Sequence, residues 1–167
     1  MSIEIRMGSK DDAALIADMS RQTFYETFAP DNKAEDMEKF LAEQFTREAL
    51  IAEVDTPEHT FLLAYADGEP AGYACLREWK TDQNGIELAR LYAASHHIGK
   101  GIGKALMQAC IELAQQQGKK IISLGVWEKN ERAIRFYKAW GFEKVGQHPF
   151  RLGNDMQVDW IMQKEIG

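Results

Sequence analysis

Long apolar segments are absent from this sequence of 167 residues. No run approaches the ~20 apolar residues that a membrane-spanning helix requires. The first residues, Met1-Ser2-Ile3-Glu4, also lack the basic and then apolar pattern of a secretion signal. These two absences predict a cytoplasmic protein with no membrane partner.

Cysteine is scarce as well, since Cys75 and Cys110 are the only two in the chain. Cys75 falls in a strand-like pattern and Cys110 on the apolar stripe of a helix, positions typical of buried packing rather than of a disulfide. His96 and His97 are adjacent, but no third ligand stands at metal-binding spacing. We therefore expect neither a disulfide nor a metal site.

An excess of positive charge is also missing, because 20 Lys and Arg face 26 Asp and Glu for a net charge of −6. A nucleic-acid-binding protein needs a basic face to neutralise phosphates, so a nucleic-acid partner is disfavoured. The overall negative field favours a cationic small-molecule partner instead.

The composition is that of an ordinary globular protein, 45% apolar and 28% charged. No internal repeat, low-complexity segment or linker divides the chain. A chain of this length is large enough to bury one core, so residues 1–167 are predicted to form a single domain.

Hydrophobic periodicity predicts seven strands and four helical regions, the second of them in one or two pieces. A capping box, Ser9 with Asp12, opens the first helix, and Asp67-Gly68 is a strong hairpin signal. The order β-α-α-β-β-β-α-β-α-β-β predicts an α+β fold with a mixed, mostly antiparallel sheet and helices on both faces. The strands are expected at residues 2–7, 59–66, 71–79, 86–93, 121–126, 144–152 and 156–164, and the helices at 9–28, 33–54 in one or two pieces, 104–117 and 130–140.

A glycine-rich turn, Gly99-Lys100-Gly101-Ile102-Gly103-Lys104, separates the fourth strand from the next helix. A loop that wraps a phosphate with its own N–H groups needs positive φ angles and no Cβ in the way. The helix that follows adds free N–H groups and the positive end of its dipole. The turn therefore indicates a phosphate-binding site, with a purely steric strand-to-helix turn as the alternative.

Two common phosphate motifs do not match this turn. The P-loop pattern requires a glycine where Ile98 stands and a Ser or Thr where Ala105 stands. The dinucleotide fingerprint requires its third glycine at Lys104. Nucleotide hydrolysis and nicotinamide chemistry are thus disfavoured.

The residues 99–106, with the strand 87–93 before them and Asn130, Tyr137 and Gly141-Phe142 after them, resemble the acetyl-CoA-binding core of the GCN5-related N-acetyltransferases (GNAT). The segment 125–130 and the residues Ala133-Ile134 and Phe136-Tyr137 resemble more narrowly the PaiA-type bacterial spermidine/spermine N-acetyltransferases. Ile98 departs from the family pattern, which has Gln or Arg there.

The resemblance implies a three-layer α/β/α fold whose central sheet splays between its two middle strands to admit the pantetheine arm. It implies direct transfer of an acetyl group from acetyl-CoA to a primary amine of a small substrate, a polyamine such as spermidine or spermine. The alternatives are an amino acid, antibiotic or peptide amine as acceptor, or a non-catalytic acyl-CoA-sensing module. A homodimer is also implied.

The resemblance also suggests roles for particular residues. Tyr137 is expected to protonate the leaving CoA thiolate, although its position also suits a core aromatic, and Glu87 is the candidate general base, with water and an ordinary cross-strand role as alternatives. Asn130 is expected to cap a helix, to contact the cofactor, or both. The remaining cofactor-binding residues are expected to be Leu91, Tyr92, Ala93, Gly99, Lys100, Gly101, Ile102, Gly103 and Lys104.

The acceptor pocket is expected between the first two helices and the last two strands. Its candidate walls are Tyr25, Phe28, Trp127 and Phe150, and its candidate carboxylates for a cationic chain are Glu26, Asp31, Glu35 and Asp155.

Overall fold

The computed structural model describes residues 1–167 and contains one seven-stranded sheet. The strand order across the sheet is β1-β2-β3-β4-β5-β7-β6. Neighbouring strands are antiparallel except for β4 and β5, which are parallel. The strands are β1 (Ile3–Met7), β2 (His59–Ala66), β3 (Glu69–Glu78), β4 (Gly85–Ala93), β5 (Ile121–Trp127), β6 (Glu143–Leu152) and β7 (Asp155–Glu165).

Five α-helices cover the two faces of this sheet. They are α1 (Ala13–Phe28), α2 (Ala34–Lys39), α3 (Arg47–Val54), α4 (Ile102–Gln116) and α5 (Glu131–Ala139). The helices α1 and α3 pack together on one face, whereas α4 and α5 cover the other. The predicted α+β, three-layer fold is confirmed.

Each face of the sheet carries its own core. On the α4 face, Leu106 and Cys110 of α4 pack with apolar residues of the central strands such as Ile86. On the α1 face, Ile16 packs with Tyr73 and the other apolar residues of β2 and β3. Alternate residues of a strand point to opposite faces, so a strand buried on both sides reads as a nearly continuous apolar run. Both cysteines are free and buried, as predicted.

The sheet is splayed at its centre. The parallel strands β4 and β5 pair only at their first residues, from Gly85 with Ile121 to Glu87 with Ser123. A β-bulge at Ala89 follows, where the register between β3 and β4 shifts between Cys75 and Leu76. The later residues of β4 therefore leave β5, and a gap opens between the two strands as predicted.

The helical region predicted over residues 33–54 is broken. A π-helical segment, Phe40–Gln44, follows α2, and α3 begins only after Thr46, whose side chain accepts a hydrogen bond from Ala49 N–H at 3.2 Å. The guanidinium of Arg21 donates hydrogen bonds to two carbonyls of this connection, those of Leu41 and Phe45, both at 2.9 Å. Helix α1 thus holds the connection over the sheet. No helix of the structure is long and apolar enough to cross a bilayer.

Candidate active site

A cleft of about 660 Å³ passes through the splayed region of the sheet. One end lies at the glycine turn and the N-terminus of α4, and the other lies among aromatic side chains under α1. Ten of the twelve residues that the sequence assigns to catalysis or cofactor binding line it: Leu91, Tyr92, Ala93, Gly99, Gly101, Ile102, Gly103, Lys104, Asn130 and Tyr137.

The glycine turn has the backbone of an anion cradle. Gly99 and Gly101 have φ angles of +83° and +89°, which L-residues with a Cβ rarely adopt. The first helical hydrogen bond of α4 runs from Ala105 N–H to Gly101 O at 3.0 Å, so the N–H groups of residues 101–104 have no acceptor in the protein. Such a row of free N–H groups at a helix N-terminus binds phosphate.

Gly103 differs from the other two glycines of the turn. Its φ angle is not positive, and a Cβ built there would lie 3.5 Å from the ring of Phe136. That distance is an ordinary van der Waals contact, so neither the backbone nor the packing of the protein requires a glycine at this position.

The open edge of β4 forms the middle of the cleft. Because β4 leaves β5 after Glu87, the β5-facing edge of residues 88–93 has no strand partner. Unpaired N–H and C=O groups of a strand edge accept an extended amide-containing chain by β-type pairing. The pantetheine arm of CoA is such a chain, so these residues fit the cofactor that the sequence predicts.

Two cationic side chains flank the opening between α4 and α5. Lys104 comes from the first turn of α4 and Arg132 from the first turn of α5, and both line the cleft. Asn130 lies beside them and caps α5, accepting a hydrogen bond from Ala133 N–H at 3.3 Å. Lys100 does not line the cleft. Arg132 was not identified from the sequence. Its position two residues after the helix cap Asn130 could have indicated that it lies beside the cofactor site.

Tyr137 reaches the cleft from the α5 side of the sheet. It is 9% exposed, and its ring lies 5.5 Å from that of Phe136 and 5.8 Å from that of Phe142. Its hydroxyl has no hydrogen-bond partner in the protein. Burial raises the pKa of Tyr137, so the hydroxyl keeps its proton at neutral pH. The ring is therefore a core aromatic whose polar end faces the cleft.

Glu87 does not line the cleft. Its carboxylate accepts hydrogen bonds from both Nε, at 2.9 Å, and Nη2 of Arg77 on the neighbouring strand β3. It precedes the point where β4 leaves β5, so the paired part of the sheet separates it from the gap. The geometry thus corresponds to the cross-strand alternative and gives no support to the role of general base.

Aromatic rings close the α1 side of the cleft. The ring of Phe28 lies 6.0 Å from that of Trp127 on β5 and 6.5 Å from that of Tyr92 on β4, so it bridges the two separated strands. Phe150 of β6 also lines this region. Three of the four predicted walls are therefore present. Tyr25 is 54% exposed and lies outside the cleft.

None of the four predicted acceptor carboxylates lines the cleft. Glu26 accepts a hydrogen bond from Ser95 Oγ at 2.9 Å. Asp31, Glu35 and Asp155 line a separate polar pocket of about 290 Å³ beside α2 and the β6–β7 turn. The β6–β7 turn packs closely against α2 there, since a Cβ on Gly153 would lie 2.5 Å from the backbone of Asp36, so these three carboxylates lie outside the cleft.

The carboxylate that does line the cleft is Asp159 of β7. Its Cα lies opposite those of Trp127 on β5 and His148 on β6. Burial raises the pKa of Asp159, and the smaller effect of His148 lowers it. Asp159 is one of the polar residues that alternate with apolar ones along β7. Only the fold shows that this face of β7 borders the gap.

Lys138, His96 and His97 supply no reacting group in this arrangement. Lys138, one residue after Tyr137, places its Nζ 5.6 Å from the ring of Trp160 and does not line the cleft. His96 and His97 belong to a short 3-10 turn before the glycines. His97 is buried against the turn and lines the cleft, with both ring nitrogens unpaired.

A comparison with known families matches residues 21–142 to the acetyltransferase (GNAT) family. An uncharacterised N-acetyltransferase from the pepI 3′ region of Lactobacillus delbrueckii subsp. lactis is 36% identical over 97% of this chain and 96% of its own. The spermidine N(1)-acetyltransferase of Thermoplasma acidophilum is 30% identical over 99% of this chain and 98% of its own.

A solved structure shows the same architecture. The crystal structure of the PaiA N-acetyltransferase of Thermoplasma acidophilum in complex with coenzyme A superimposes with a TM-score of 0.82, at 28% identity over 99% of both chains. Its ligand agrees with the acetyl-CoA donor expected for this chain. The predicted family, fold and acetyltransferase class are thereby confirmed, and the chain belongs to the acetyltransferase (GNAT) family.

Proposed function

We propose that this acetyltransferase moves an acetyl group from acetyl-CoA directly to a primary amine of a small polyamine such as spermidine or spermine. The observation that carries the proposal is the continuity of one cleft, which joins the free N–H groups at Gly101, the hydroxyl of Tyr137 and the aromatic pocket around Phe28. Donor and acceptor would meet at the gap in the sheet.

The donor half of the cleft matches the parts of CoA in order. The N–H groups of residues 101–104 would receive the pyrophosphate, and Lys104 and Arg132 would add full positive charge beside it. The open edge of Leu91, Tyr92 and Ala93 would pair with the amides of the pantetheine arm. The same N–H groups of β4 are the candidates for stabilising the oxyanion that develops on the thioester carbonyl.

Tyr137 would supply the proton for the leaving group. A thiolate, with a pKa near 8.5 by analogy with cysteine, leaves more readily when a nearby acid protonates it. The hydroxyl of Tyr137 is protonated, faces the cleft and is not engaged in the protein. The chain carries out no covalent step of its own, because the amine attacks the thioester directly.

The acceptor half of the cleft suits a cation with an apolar stem. Aromatic faces such as those of Phe28 and Trp127 attract ammonium groups and pack against methylenes. Asp159 contributes a carboxylate, and the chain as a whole carries a net charge of −6. Spermidine acetylation by the related protein of Thermoplasma acidophilum supports the same acceptor class.

The experiment that tests the proposal is the release of free CoA thiol from acetyl-CoA with a panel of amines: spermidine, spermine, putrescine, lysine, an aminoglycoside and a short peptide. We expect the highest kcat/KM with spermidine or spermine. A higher kcat/KM with lysine, the aminoglycoside or the peptide would keep the acetyltransferase and reject the polyamine. Folded protein that binds acetyl-CoA and releases no thiol would favour a sensing module. The homodimer and the cytoplasmic location stay predictions.

A further inference from the structure

Asp159 lies on the acceptor side of the sheet. On β5, Leu124 and Val126 belong to the core under α4, so Gly125 between them faces the opposite side. Gly125 pairs with Ile161 of β7, and Asp159 stands two residues earlier on the same face. Tyr137 approaches the gap from the α5 side. The hydroxyl and the carboxylate therefore reach one cleft from opposite faces of the sheet.

Gly125 leaves the space in front of this carboxylate open. A Cβ built on Gly125 would lie 3.7 Å from Asp159 Oδ2 and 3.6 Å from His148 Nε2, with no other heavy atom within 4 Å. The two polar groups thus converge over the bare backbone of β5. Asp159 has no hydrogen-bond partner in the protein, in contrast to Glu87, which is engaged by Arg77.

We infer that Asp159 is the general base of this acetyltransferase, accepting a proton from the acceptor ammonium at the gap between β4 and β5. The inference rests on the proposed function and adds the residue that removes the proton. Asp159 faces His148 from β6, Tyr92 from β4 and the uncharged Trp127 from β5. The carboxylate meets no permanent positive charge there, so nothing holds it permanently in the ionised form.

The electrostatics agree with this role. Burial raises the pKa of Asp159 towards the pH at which a base is most effective. Burial and the neighbouring Tyr73, Tyr137 and Asp159 raise the pKa of Tyr92 against the opposing effect of Arg90, so its hydroxyl stays neutral. Tyr92 also lines the cleft, so this neutral hydroxyl is available as a hydrogen-bond partner for the amine.

The proton balance closes without a further reactant. Asp159 takes one proton from R–NH3⁺, and the neutral nitrogen forms a bond to the thioester carbonyl carbon. When the C–S bond breaks, Tyr137 gives its proton to the thiolate and recovers one from the nitrogen. Asp159 then releases its proton to water. The products are the amide, the CoA thiol and one proton.

The test compares Asp159→Asn with Glu165→Gln, which removes a carboxylate from the exposed far end of the same strand. We expect Asp159→Asn to lower kcat with spermidine about 100-fold at pH 7, within the range of general acid–base catalysis. The defect should shrink above pH 9, where more of the amine is already neutral. Acetyl-CoA affinity and thermal stability should stay near those of the wild type, and Glu165→Gln should retain full activity.

The outcomes separate the two proposals. If the wild type is active and Asp159→Asn is equally active, the inference is overturned. It is also overturned if Asp159→Asn changes only the amine KM, raising it at every pH. Both outcomes leave the proposed function intact. Wild-type silence across the amine panel would overturn both. Asp159→Glu keeps a carboxylate but places it one methylene further from the backbone. Partial activity of this variant with the pH profile of the wild type would support proton removal by the carboxylate rather than a structural role.

Discussion

At the scale of single residues, Tyr137 allows a clean separation of packing from chemistry. Its ring is held by Phe136 and Phe142, whereas its hydroxyl has no partner in the protein. Tyr137→Phe should therefore keep the fold and the acetyl-CoA dissociation constant within about twofold while lowering kcat at least 10-fold. Steady-state kinetics with spermidine and titration calorimetry with acetyl-CoA would measure both. Unchanged turnover would exclude Tyr137 as the acid.

His59 is a second residue with a measurable consequence, in this case for stability. Thr56 Oγ1 donates its one proton to Glu53 O at 2.6 Å, so His59 Nδ1 donates to Thr56 Oγ1 across 2.7 Å. Burial lowers the pKa of His59, and Arg77 and Arg90 also lower it against the opposing effect of Glu53. The folded protein thus favours the neutral imidazole.

This lowered pKa of His59 fixes the sign of a pH effect. Between the folded pKa and the unfolded value near 6.5, the unfolded chain binds more protons, so the free energy of unfolding falls as the pH decreases. Above pH 7 the penalty is absent. The unfolding free energy of His59→Gln should differ less between pH 7.5 and pH 5.5 than that of the wild type does. Urea denaturation at both pH values measures this change in free energy. An equal change in the wild type and in His59→Gln would contradict the expectation.

At the scale of elements, the glycine turn before α4 is both a backbone requirement and a binding site. Gly101 (φ +89°) has only Ile3 Cδ1, at 3.8 Å, near the place of a Cβ, and Gly118 after the same helix has φ +76° and open space around it. A side chain at either position strains the backbone by about 1–2 kcal/mol. Of the two glycines, only Gly101 lines the cleft.

Gly101→Val and Gly118→Val are therefore a matched pair. Both should lower the free energy of unfolding by a similar amount, and only Gly101→Val should weaken acetyl-CoA binding, by at least 10-fold. Urea denaturation and titration calorimetry on both proteins would show the difference. If Gly101→Val folds and binds acetyl-CoA like the wild type, the phosphate site is not at this turn.

The elements also show how far local sequence signals extend. The hairpin at Asp67-Gly68 was predictable because its two positive φ angles, 49° and 83°, suit these residues locally. The sequence does not decide whether the helical region 33–54 breaks after α2, because Phe40 and Phe45 are placed by ring contacts with Phe24 of α1. Such contacts join segments far apart in the chain, and no local pattern encodes them.

The candidate site divides in the same way. The cofactor half depends on one continuous stretch, the residues 91–104, and nearly all of that prediction lines the cleft. The acceptor half depends on how α1, β5 and β7 approach one another. The sequence therefore predicted aromatic walls such as Phe28 but missed Asp159, and the resemblance suggested Glu87, which the paired part of the sheet keeps from the gap.

At the scale of the whole molecule, the splayed sheet consists of two parts that a ligand would connect. Strand pairing joins the strands β1–β4 to the strands β5, β7 and β6 only from Gly85 to Glu87, and the core under α4 and the ring of Phe28 also contact both parts. A molecule that lies along the open edge of β4 and reaches α5 would contact both parts. Its binding should stabilise the folded chain and leave the unfolded chain unaffected.

Acetyl-CoA alone should accordingly raise the melting temperature. A ligand at 100 times its dissociation constant stabilises the folded state by about 2.7 kcal/mol, which corresponds to about 5–10 °C for a domain of this size. Differential scanning calorimetry over a concentration series would give the shift, and Gly101→Val would serve as the binding-deficient control. Spermidine alone should shift the melting temperature less, because it contacts only the acceptor half. An equal shift with Gly101→Val would mean that acetyl-CoA binding does not depend on the glycine turn.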